Sequence, residues 1–222
     1  MTWWKRMLGV DDAKAQGPAT AREWLSLTCE RPYTWRRAGD LAVPSRRIFV
    51  GDPTWGSDAH MEQQGAVSID SLAVWVLSSG SDPSPYKTDV NGLLWLEANG
   101  AVPVAVGHRL DFGVDAACFA VGDVATGQAF TELTDLELDA GRGDSFEWIQ
   151  PYIQAFPHYA RWVSVPPAGL PMFVVSTGND GGFAAAWLHD AAGALSGILV
   201  DIQGRASDRK YLDTLLPARS ST

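Results

Sequence analysis

Cysteine is scarce: the chain holds only Cys29 and Cys118, and neither belongs to a CxxC pair. That excludes a zinc knuckle and a thioredoxin-type redox motif. Two isolated thiols suit a reducing cytosol, so a cytoplasmic location is expected, with both cysteines reduced and Cys118 buried between Ala117 and Phe119. Long apolar runs are also missing. No segment reaches the roughly 18–20 apolar residues of a membrane span. The opening stretch carries Lys5 and Arg6 but runs into Asp11 and Asp12, unlike a secretory leader. Basic residues are too few to balance the acids, 17 against 26, for a net charge of −9. A chain this acidic is repelled by phosphate backbones, so neither a nucleic acid nor a membrane is an expected partner. Lysine is scarcer than arginine, four against thirteen, a compositional sign of a GC-rich bacterial genome.

Several catalytic signatures are absent as well. There is no GxSxG, P-loop or GxGxxG, and His60, His108, His158 and His189 show neither HxH nor HExxH spacing. No cofactor and no metal are expected. The glycine-rich Gly178–Gly182 lies between two strand-like runs rather than at a helix start, so it reads as a turn and not a phosphate cradle.

What the chain does have is core-forming bulk: 46% apolar residues, with ten tryptophans and eight phenylalanines. Its 222 residues fit one large domain or two small ones. With no repeat and no clean linker, one domain over 1–222 is expected, with 1–17 loosely attached and 217–222 a frayed tail. Ala19 to Leu27 reads as a short helix, and residues 31–45, holding Pro32, Gly39 and Pro44, read as loop. Strands are expected at Arg47–Val50, Leu72–Leu77, Leu93–Glu97 and Val102–Val106. The last two are joined as a hairpin through Asn99-Gly100. Asp123 opens the stretch from Val124 to Leu138, which reads as turn and helix, and Asp144 or Ser145 caps another helix through Ile153 despite Pro151. Trp162–Val165 is a further strand. Pro171–Ser176, Phe183–Leu188 and Leu195–Ile202 form an antiparallel meander, and Ser207–Leu215 closes the chain as a helix. Strands come in runs rather than alternating with helices, so the expected class is α+β, a single domain on a largely antiparallel sheet with a few short flanking helices.

Candidate chemistry rests on carboxylates. Asp115 stands in the apolar Gly113–Ala120 and is expected to be buried, accepting N–H groups from residues 179–182. Asp123, Asp180 and Asp201 lie at strand or turn edges. Together the four would form a polar site for a divalent cation or acid–base work; singly, each would lock a loop or cap a helix. A second cluster, Glu132, Asp135, Glu137, Asp139, Asp144 and Glu147, surrounds the one base Arg142 and forms a candidate docking patch for a cationic protein. The plain alternative is a solvated helix face.

Three segments carry a family likeness. Phe112–Asp123, Ser176-Thr-Gly-Asn-Asp-Gly-Gly-Phe183 and Ala184–Ile202 stand in an order and spacing that resemble the bacterial domain-of-unknown-function family 4241, and Val50-Gly-Asp-Pro53 is similar to an earlier element of it. The likeness covers about residues 48–202, with Ala117 where a glycine is usual and Phe183 where a tyrosine is usual. It implies a compact single domain with no established activity and no catalytic residue to carry over. Related small acidic proteins occur beside bacterial toxin genes. The expected function is therefore non-catalytic binding, of an immunity or modulator type. The alternative is an enzyme or ligand binder built on the clustered aspartates.

Overall fold

The computed structural model describes residues 18–26, 34–53, 64–78, 91–143 and 160–202. Among them run α1 (Ala21–Ser26), β1 (Thr34–Ala42), β2 (Arg47–Gly51), β3 (Gln64–Ala66), β4 (Ser71–Ser78), β5 (Asn91–Glu97), β6 (Ala105–Val114), β7 (Cys118–Asp123), α2 (Val124–Asp139), β8 (Ala160–Val165), β9 (Leu170–Ser176), β10 (Gly181–His189) and β11 (Leu195–Asp201). All strand pairs are antiparallel. The fold is mixed and sheet-rich. It has two sheets rather than the expected one, ordered β1-β4-β5-β11-β10-β6 and β3-β2-β7-β9-β8.

Alternation along each strand explains the layering. In β5, Leu94 and Leu96 enter the core between the sheets, while Leu93 and Trp95 turn to the opposite face. In β7, Phe119 and Val121 face the shared core, and Cys118 and Ala120 face away. Side chains on both faces are buried because each sheet is covered twice. Ala21 and Leu25 of α1 pack on the outer face of the six-stranded sheet, and Phe130 of α2 packs on that of the five-stranded sheet. Each fully buried leucine or phenylalanine contributes about 1.5–3 kcal/mol. Two indoles tie the sheets together. Trp187 Nε1 donates to the Ala66 carbonyl at 2.9 Å, and Trp162 Nε1 to the Ala38 carbonyl at 2.8 Å. Trp187 lies so close to β3 that a Cβ on Gly65 would stand 2.1 Å from its ring, so only glycine fits there.

Four expectations fail here. Residues 31–45 are not all loop: Thr34–Ala42 is edge strand β1. Its Gly39, at φ +140°, is a bulge, the ladder to β4 shifting between Arg37 and Gly39. Asn99-Gly100 does turn, with Gly100 at φ +70°, but joins no hairpin. β5 is flanked by β4 and β11, and β6 lies at the far edge beside β10. The strand expected at Val102–Val106 begins only at Ala105. The meander is also incomplete. Phe183–Leu188 is a strand and β10–β11 a hairpin, but β9 pairs with β7 and β8 in the other sheet. The turn after Ser176 thus carries the chain from one sheet to the other. The helices expected at 144–153 and 207–215, and the segments 1–17 and 217–222, lie outside the described residues.

Candidate functional site

One end of the sandwich gathers the polar residues that the sequence singled out. Here β2 and β6 finish, β7 and β10 begin, and β9, β11 and β5 meet, as the pairs Gly51↔Ala120, Gly181↔Val114, Cys118↔Ser176 and Asp201↔Leu93 show. The Asn91 amide bridges the two sheets, donating to the Ser176 carbonyl at 3.2 Å. Asp115, Asp180 and Asp201 share this end. Asp123 does not: it closes the opposite end of β7, opposite Ile48.

Asp115 is exposed, which corrects the expectation of burial. The 113–120 stretch is apolar because β6 and β7 flank it, and residues 115–117 form the turn between them. The buried carboxylate is Asp52, with no exposure at all. It accepts the backbone N–H of Asp115 and, at 3.1 Å, that of Ala116. Asp115 is therefore a backbone donor and not the acceptor that was expected. Asp180, also exposed, accepts the Ala117 N–H at 2.9 Å, and the Thr177 N–H donates to the Ala117 carbonyl at 2.9 Å. Ala117 is held at φ 48°, a left-handed conformation costing an alanine about 1–2 kcal/mol, with both backbone groups clamped. The signal for Asp52 was present in the sequence: a lone acid one glycine after the apolar run Ile48-Phe49-Val50. Asp201 is 1% exposed, opposite Leu93.

Asp123 is the N-cap of α2. Its carboxylate accepts the Ala125 N–H at 2.8 Å and both the backbone N–H and hydroxyl of Ser45, at 3.0 and 2.7 Å. Three of the four aspartates and Asp52 thus hold backbone or surround a clamped turn. Among the described residues, no three His, Cys, Asp or Glu side chains gather as a metal site.

The acidic cluster divides on α2. Thr126, Gly127, Phe130, Thr131 and Thr134 face the sheet. At 100° per residue, Glu132, Asp135 and Asp139 fall together on the opposite, exposed face. Leu136 lies beside them, 64% exposed. Glu137 points elsewhere and binds Arg142 through both carboxylate oxygens, at 2.6 and 2.9 Å. The hydrogen-bonded guanidinium holds the Glu137 carboxyl below the usual glutamate range, despite partial desolvation, and raises Arg142 in turn. Beyond the helix, Asp144 and Glu147 lie outside the described residues.

A third polar group was not foreseen. Arg22 stacks on the Trp75 ring, 3.7 Å from its centroid, and pairs with Glu97 at 3.0 Å. Glu97 also accepts the Trp95 indole N–H, while Trp35 Nε1 donates to the Arg22 carbonyl and the Ser26 hydroxyl. These contacts fasten the six-residue α1, too short to persist alone, against its sheet. Cys118 is fully buried, as expected. Cys29, His60 and His158 lie outside the described residues. No helix among the described residues is long and apolar enough to cross a membrane. No protein-family model, curated protein or solved structure matches this chain.

Proposed function

We propose that this chain is a soluble, cytoplasmic, non-catalytic binding protein of the immunity or modulator type, docking a cationic protein on the outer face of α2. The observation that carries this reading is the stripe of Glu132, Asp135 and Asp139 beside the solvent-exposed Leu136. Carboxylates steer a basic partner, and an exposed leucine among them supplies apolar area that a merely solvated face lacks. The aspartates support the same side of the question. Asp52, Asp123 and Asp180 spend their oxygens on backbone donors, which suits loop locking rather than acid–base work.

The resemblance to family 4241 belongs to the proposal too. Three of its segments meet at the 115–117 turn, which lies in Phe112–Asp123: Asp52 of Val50–Pro53 and Asp180 of Ser176–Phe183 close on it from two sides. They would then be a shared structural corner and not a catalytic set. The test begins with the neighbouring gene: if it encodes a secreted protein with a variable C-terminal domain, that domain is co-expressed with this chain, and a neighbour of any other kind counts against an immunity role. Wild-type chain should restore growth and bind that domain. Glu132→Lys with Asp135→Lys should lose both while the circular dichroism spectrum is kept. Undiminished protection by the double variant would refute the α2 surface.

A further inference from the structure

Among the described residues, strand β6 lies at the edge of the six-stranded sheet, paired on one side only, with β10. An edge strand offers a row of backbone donors and acceptors to any chain that can pair with it, and proteins usually blunt such edges. The other edges here are blunted. β1 is bulged between Arg37 and Gly39 and carries exposed Arg36, Arg37 and Asp40. β3 has three residues, and β8 has six and runs straight into Pro166-Pro167. β6 has ten, among the described strands the longest, with Gly107, His108 and Asp111 exposed.

Its charges are arranged to match a copy of itself. Arg109 and Asp111, two residues apart, share the face turned away from the inter-sheet core, Arg109 lying opposite Ala186 of the outer cluster. Within the chain they pair at 2.8 Å, the Arg109 side chain 18% and the Asp111 side chain 70% exposed, so Arg109 reaches the second copy by its guanidinium tip alone. When two copies of β6 run antiparallel with Leu110 on the twofold axis, Arg109 of each stands across from Asp111 of the other. His108 then stands across from Phe112. Directly opposed unlike charges stabilise a strand pair, and like charges destabilise it. In this register nine of the ten residues of β6, 106–114, lie across from the second copy, so the charge match needs almost no loss of overlap. The β6–β10 ladder is irregular between Val106 and Arg109, which confines the new ladder to residues 108–112.

We infer that β6 pairs antiparallel with β6 of a second copy, joining two six-stranded sheets into one across a closed twofold interface. Five residues from each chain make a small contact, so the dimer is weak and concentration-dependent.

Sedimentation velocity from micromolar concentration to about 1 mM tests this. The wild-type chain should shift from 23.9 kDa to twice that mass. Arg109→Asp places acid against acid and Asp111→Arg base against base, so each variant alone should remain monomeric. An equimolar mixture of the two should dimerise again, because unlike charges then face each other across the interface. Mixing cannot restore a pair within one chain, so this rescue separates pairing between copies from a role inside the fold. Circular dichroism melting of each variant establishes folding, and the double exchange Arg109→Asp with Asp111→Arg supplies a form in which both pairs are rebuilt. A wild-type chain monomeric at about 1 mM, a dimer indifferent to both reversals, or a folded mixture that stays monomeric would each overturn the inference.

Discussion

Asp52 is fully buried and accepts the N–H groups of Asp115 and Ala116, whereas the Asp115 side chain stands in solvent. Removing the first carboxylate strands two backbone donors at about 1–3 kcal/mol each. Removing the second changes stability by no more than about 0.5 kcal/mol. Urea denaturation of Asp52→Ala and Asp115→Ala should therefore give a large and a negligible shift in midpoint; equal shifts would show that the turn is not held from Asp52. The sequence supplied the correct chemistry here, a carboxylate holding a turn, but attached it to the wrong residue. Apolar neighbours along the chain report the strands on either side of Asp115. They say nothing of which way a turn residue points.

At the scale of elements, the β10–β11 hairpin was legible and α2 largely so. The Asp190 carboxylate builds the hairpin turn. It accepts the Ala192 and Ala194 N–H groups, both at 2.9 Å, and the Asn99 amide at 2.9 Å. Partial desolvation opposes its ionisation, but those hydrogen bonds and the neighbouring His189 outweigh it and hold the group below the usual aspartate range. A lowered folded-state pKa means that the stabilisation is complete above the ordinary aspartate value near 4. It is lost as the pH falls through the lowered one. NMR titration should place Asp190 below a free aspartate, and Asp190→Asn should flatten the acid limb of the stability profile. An ordinary titration with an unchanged acid limb would contradict this. On α2, Asp123 was readable as a cap because N-capping is local. The division of the acids into a stripe and a separate Glu137–Arg142 pair follows from helical periodicity once the helix limits are known.

In the molecule as a whole, both sheets contribute to one core, from Leu94 and Trp187 on one side to Phe119 and Phe173 on the other. Neither sheet keeps its inner face dry alone, so the two should unfold together. Tryptophan fluorescence and far-ultraviolet circular dichroism should give coincident urea transitions. Trp187→Ala, which empties the space above Gly65 and removes the bond to Ala66, should cost about 3–5 kcal/mol of stability and lower both midpoints together. Transitions that separate would mean that the sheets are independent units.

Sequence alone determined where most strands run, because stretches such as Leu72–Leu77 and Leu195–Ile202 are too apolar to be anything but buried. It also determined the α2 cap, the β10–β11 turn and the buried Cys118, each a matter of near neighbours. Tertiary structure decided which strand pairs with which. β5 took β11 instead of β6, and β9 left its expected meander for the other sheet. Backbone ladders are nearly indifferent to side chains. Strands buried on both faces lose the polar alternation that would mark an inner side, so only long-range packing selects their partners and register.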